Sequence, residues 1–101
     1  MTKTVHVADL PEFDLAEQIR TVEDVAAYLT AVIEEGDQSE LAHALGIVAR
    51  ARGMGEIAKA TGITREALYK ALRPDAQPRF DTVRKVCAAL GVRLVAQPLH
   101  P

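Results

Sequence analysis

Residues 55–72 read Gly55-Glu56-Ile57-Ala58-Lys59-Ala60-Thr61-Gly62-Ile63-Thr64-Arg65-Glu66-Ala67-Leu68-Tyr69-Lys70-Ala71-Leu72. Two short helices can cross closely only if the residue at the crossing is small and the turn between them admits a left-handed backbone. Ala58 meets the first demand, and Gly62, free of a Cβ, meets the second. Ile57, Ile63, Leu68 and Leu72 then fall inward. Leu68, Ala71 and Leu72 follow the i, i+3, i+4 spacing of a buried stripe, so Arg65, Glu66, Tyr69, Lys70 and Arg73 face outward. Thr64 stands where it can cap the second helix, its hydroxyl accepting from a backbone N–H one turn on.

Spacing, turn and exposed basic face together fit a DNA-binding helix-turn-helix, as against a helical hairpin with a merely solvated face. The start of the second helix meets base edges in such a motif. That assigns base contacts to Thr64, Arg65, Glu66 and Tyr69, and backbone contacts to Lys70, Arg73 and Arg79.

The chain of 101 residues is expected to form one domain, and scarce aromatics with abundant alanine favour packed helices. No apolar run approaches the ~20 residues of a membrane span, and no basic-then-apolar leader opens the sequence, so a cytoplasmic protein without membrane association is expected. Cys87 falls in the helical series Val83, Val86, Cys87, Leu90 and reads as core. His6, His43 and His100 lie far apart without ligand partners at metal spacing and read as surface. Neither a metal nor another cofactor is implied. Nothing assembles a nucleophile, a base and an orienting group, so catalytic residues are not expected and an enzyme is the class least supported.

The net charge of −2 conceals a division. Residues 1–40 hold ten acids against Lys3 and Arg20, a net of −8, and residues 41–101 hold ten bases against four acids, a net of +6. A basic half containing residues 55–72 fits double-stranded DNA. The acidic half fits a basic protein, with Glu23, Asp24, Glu34 and Glu35 as candidate contacts, or is a solvated face.

Around the central stretch, residues 1–13 read as an extended arm and 14–101 as the domain. Phe13, Leu15 and Ile19 can anchor a helical turn over Asp14–Ile19. Thr21 and Asp24 form a capping box for a helix with Val22, Val25, Ala26, Leu29 and Ile33 on one face, ending near Gly36. Asp37 and Glu40 open another, with Leu41, Ala44, Leu45, Val48 and Ala49 inward and Gly53 at its end. Arg50 and Arg52 near its C-terminus complement the helix dipole or reach phosphates. Pro74 and Pro78 mark a loop, and a helix from about Asp81 to Leu90 follows. Alternation over residues 92–96 predicts a short strand, Val92 and Leu94 to one side. It would need a symmetry copy, another protein or Thr4–Val7 as partner, and the first option makes Val92, Leu94 and Ala96 a homodimer interface.

From Phe13 to Pro98 the chain resembles the addiction-module antidote family, small antitoxins of the Xre/Cro helix-turn-helix class paired with RelE/ParE/HigB-type toxins. The residues that carry the resemblance are Ala26-Ala27-Tyr28-Leu29, Ala44-Leu45-Gly46, Ala49-Arg50-Ala51-Arg52-Gly53, Ile57-Ala58, Thr61-Gly62, Arg65-Glu66-Ala67-Leu68-Tyr69, Leu72, Pro78-Arg79-Phe80-Asp81-Thr82 and Ala89-Leu90-Gly91. The resemblance implies an all-α, λ-repressor-like bundle of about five helices with one short C-terminal β-strand. It also implies operator binding with autorepression and neutralisation of a basic toxin. The loop Pro74-Asp75-Ala76-Gln77 departs from the glycine- or asparagine-rich turn expected there. A stand-alone regulator without a toxin, and an interaction protein that no longer binds DNA, are the competing readings.

Overall fold

The structure is a computed structural model and describes residues 11–36 and 38–99. Six α-helices succeed one another among them: α1 (Glu12–Gln18), α2 (Val22–Glu35), α3 (Gln38–Arg52), α4 (Met54–Thr61), α5 (Arg65–Ala71) and α6 (Phe80–Ala89). The count exceeds the expected five because the turn near Asp14 extends to a seven-residue helix. Its first residues, Glu12 and Phe13, and its N-cap Pro11 belong to the segment expected as an arm; residues 1–10, with His6 and Thr4–Val7, lie outside the described residues, as do Asp37 and His100.

α2 begins as its capping box requires. The Thr21 hydroxyl accepts from the Asp24 N–H at 3.0 Å, and the Asp24 carboxylate accepts from the N–H groups of Thr21 and Arg20 at 3.1 and 3.0 Å. Two of the N–H groups that a helix start leaves without intrahelical partners are thereby satisfied. The buried face is Val25, Tyr28, Leu29 and Val32, which corrects the expected stripe. Val22 and Ile33 are half exposed and Ala26 is exposed. The helix is turned because the Tyr28 ring joins the core, leaving Val22 to flank Gly91 and Ile33 to line a surface cleft.

α3 occupies the centre, packed against α1, α2, α4 and α6. Every residue from Ala44 to Ala49 is buried, so the expected inward face is only part of what it hides. Alanine and glycine on several sides admit neighbours all round, the condition of a core helix. α4 packs on α3, α5 and α6, and Leu45, Ile57, Leu68, Leu72, Val86 and Leu90 meet in one fully buried cluster. Cys87 sits in that core, where burial pushes its thiol pKa up. His43 is half-buried.

The C-terminal strand expected over 92–96 is absent: there is no strand among the described residues. The Val92 N–H donates to the Cys87 carbonyl at 2.9 Å, and Val92 and Leu94 pack on the chain's own core while Arg93 and Val95 are exposed. The inward–outward alternation is therefore real, but no extended neighbour among the described residues completes a ladder.

Candidate nucleic-acid interface

The turn between α4 and α5 is held by its own chemistry. Gly62 adopts φ 76°, ψ 10°, and its N–H donates to the Ala58 carbonyl at 2.9 Å. A side chain would oppose that left-handed conformation. Thr61 adds a clasp: its hydroxyl donates to the Ile57 carbonyl at 2.8 Å and accepts from the Ile63 N–H at 3.2 Å. The chain then extends at Thr64, whose hydroxyl accepts from the Ala67 N–H at 3.1 Å and caps α5. Helix, turn and cap thus fix where α5 starts.

α5 buries Leu68, and Leu72 at its C-cap, against the core. Arg65, Glu66, Tyr69, Lys70 and Arg73 are all exposed, as the spacing predicts; Thr64 is exposed as well, and so is Arg79 at the N-cap of α6. Tyr69 presents 42% of its surface to solvent. An aromatic ring left this open beside cations can stack or reach a base edge as well as pack.

Two shallow cavities flank the second half of α5. One, of about 480 Å³, is lined by Arg50, Glu66, Tyr69, Lys70, Arg73 and Pro74 among others. The other, of about 360 Å³, brings Lys70 together with Gln77, Pro78, Arg79 and Thr82. Lys70 belongs to both, so the structure gathers Arg50, Lys70, Arg73 and Arg79 around one short helix. Arg50 comes from α3, and sequence alone left it divided between a dipole role and a phosphate role. Its position follows from Gly46, at which an added methyl would meet the Leu72 carbonyl oxygen at 2.8 Å and Arg50 Nη1 at 3.0 Å. The guanidinium accordingly lies over the C-terminal end of α5.

Among the described residues, Arg65, Lys70, Arg73 and Arg79 form no ion pair with a carboxylate. The contrast is α6, where Asp81 meets Arg84 at 2.9 Å and Lys85 at 3.2 Å. Hydrogen bonds from Arg84 and then Lys85 hold the Asp81 carboxyl below its ordinary pKa. Among the described residues, positive charge is thus answered by Asp81 on α6, while Arg65, Lys70, Arg73 and Arg79 meet no carboxylate.

The acidic candidates do not form one patch. Glu23 and Asp24 stand at the start of α2 and Glu34 and Glu35 at its end, roughly 16 Å apart along a helix rising 1.5 Å per residue. Asp24 is engaged in the capping box, which lowers its pKa through the backbone N–H groups of Arg20 and Thr21. Glu34 and Glu35 lie at the negative end of the helix dipole, in a last turn with no basic residue. Ala96, at the expected dimer contact, is exposed.

Among the described residues, no group of three or more His, Cys, Asp and Glu could hold a metal ion, and no helix is long and apolar enough to cross a membrane.

The family described as "Probable addiction module antidote protein" matches residues 9–98. An uncharacterized protein of Haemophilus influenzae is 42% identical over 88 residues, which cover 87% of this chain and 91% of the relative. No solved structure matches at a significant level.

Proposed function

Because the chain belongs to the family of probable addiction module antidote proteins, we propose that it is a DNA-binding antitoxin. It neutralises a cognate basic toxin of the RelE/ParE type in the cytoplasm and represses its own operon. Residues 54–72 act as a helix-turn-helix within a λ-repressor-like bundle, with α5 as the reading helix. The observation that carries this is the outward face of α5, where Arg65, Glu66, Tyr69 and Lys70 stand exposed on a capped helix, the cations without carboxylate partners among the described residues. Cations that meet no carboxylate among the described residues are available to phosphates. Arg65 and Tyr69 read base edges, and Lys70, Arg73 and Arg79 hold the backbone to either side.

A single reading helix contacts few base pairs, so operator binding uses a homodimer on a palindrome with half-sites about 34 Å apart. The net charge of −8 over residues 1–40 favours a basic protein partner for that half of the chain.

The test is co-expression with the short reading frame adjacent to this one. The antitoxin reading expects that frame to arrest growth alone, growth to be restored by this chain, and the two products to co-purify. Growth arrest without rescue or co-purification would leave a stand-alone regulator.

A further inference from the structure

A second surface feature lies outside the α5 face. Ile33 of α2, Leu41 of α3, Pro78, Phe80 and Val83 at the start of α6, and Leu94 line an open cleft of about 410 Å³. Phe80 is 67% exposed and Ile33 47%, in a chain where aromatic side chains are few. Large apolar side chains left open beside one another mark a contact surface more often than chance exposure does. Gln77 is the single polar side chain among the described residues of the lining. Small-molecule sites carry several placed polar groups, which this cleft lacks among the described residues, so apolar side chains of a protein fit it better.

Charge decides which protein. Glu34 and Glu35 follow Ile33 directly, at the negative end of the α2 dipole and with no base in that turn. A carboxylate at a helix C-terminus is stabilised by a cation, and Glu34, exposed beside the cleft, can take one from a partner. A second copy of this chain fits less well, because a two-fold contact centred on Ile33 would turn Glu34 and Glu35 toward their own symmetry mates.

We propose that this cleft is the toxin-docking site: it receives one or two apolar side chains of the toxin from a segment whose flanking Lys or Arg residues reach Glu34. Phe80 and Ile33 are the anchors, Glu34 sets the approach of the partner, and the site rests on the antitoxin reading above. Its lining shares Gln77 and Pro78 with the cavity that holds Arg79, so operator binding has to be measured alongside.

The experiment uses the full chain and the tagged product of the adjacent reading frame. Ile33→Asp and Phe80→Asp alter exposed side chains and are checked for native helicity and cooperative melting; Phe80→Leu is the conservative companion. Each Asp variant is expected to weaken toxin binding roughly 30-fold or more, the size of an interface anchor. Phe80→Leu is expected to lose far less. Reversing Glu34 to Lys should slow association and lower its salt dependence. Operator affinity of Ile33→Asp should stay within about twofold of wild type, a change of under ~0.5 kcal/mol. Folded Asp variants that hold the toxin as tightly as wild type overturn the docking site and leave the antitoxin reading standing. Asp variants that change only the sedimentation of the chain likewise overturn it, since the cleft would then be a self-interface. If the wild-type chain itself fails to bind that product, the antitoxin reading falls and the docking site with it.

Discussion

A methyl group added at Gly46 would stand 2.8 Å from the carbonyl oxygen of Leu72, closer than real Cβ contacts allow, so α3 and the end of α5 touch through bare backbone. Glycine inside a helix is ordinarily inferior to alanine by about 0.5–1 kcal/mol, yet here the closer approach outweighs propensity. Gly46→Ala is therefore expected to lower the melting temperature and to weaken DNA binding, because α5 must shift. Gly55 supplies the control. It lies in α4 with nothing within 4 Å of an added Cβ, so Gly55→Ala should stabilise by ~0.5 kcal/mol and raise the melting point by a few degrees. Differential scanning calorimetry of both variants checks the opposite signs.

Loss of the Thr64 cap should be felt twice. Thr64→Ala removes the acceptor of the Ala67 N–H and is expected to cost about 1 kcal/mol of stability, with Thr64→Ser close to wild type. A frayed α5 would also bind DNA more weakly, so urea denaturation and DNA titration should move together across Ala and Ser.

The cations around α5 should separate from the base readers by their salt dependence. Each of Lys70→Ala, Arg73→Ala and Arg79→Ala is expected to weaken all DNA sequences about equally and to lower the slope of log affinity against log salt by about one. Arg84→Ala, whose guanidinium is paired with Asp81, should leave that slope nearly unchanged. Fluorescence anisotropy at several salt concentrations measures both.

Acid should loosen the start of α2. The Asp24 carboxyl titrates below its ordinary 3.8 because the backbone N–H groups of Arg20 and Thr21 stabilise the charged form. A carboxylate with a lower pKa folded than unfolded contributes stability that is complete above the unfolded value and is lost as pH falls through the folded one. Asp24→Asn should thus be less stable than wild type at pH 7, with the gap closing below about pH 4. Asp81, held down by Arg84 and Lys85, contributes in the same window and leaves a residual acid limb. Denaturation at pH 7, 4 and 2 reads the gap.

Most of the helical scaffold was legible in the sequence because its signals are local. The Thr21–Asp24 box, the Gly62 turn, the Thr64 cap and the Val83, Val86, Cys87, Leu90 stripe each depend on residues within one or two turns. What depends on distant neighbours was not. α2 exposes Ile33 and buries Tyr28 because its packing against α3 chooses its face, and periodicity alone cannot weigh an aromatic against two aliphatics at the edge of a stripe. Residues 92–96 alternate as a strand would, but strand formation needs a second segment, and none pairs with them among the described residues. The outward residues of α5 were readable from spacing; the arrival of Arg50 beside them was fixed only by the contact between Gly46 and Leu72.

The claim that α5 reads DNA sequence is met most directly by one titration. Labelled DNA from upstream of this chain's own operon, and a scrambled duplex of equal length, are titrated at fixed salt with wild type and with Arg65→Ala. The expected result is clear wild-type preference for the upstream DNA and a loss of roughly 1–3 kcal/mol for Arg65→Ala on that DNA alone, with relaxed preference at one base position. Equal wild-type affinity for the two duplexes, or an Arg65→Ala variant with unchanged affinity and preference, would contradict it.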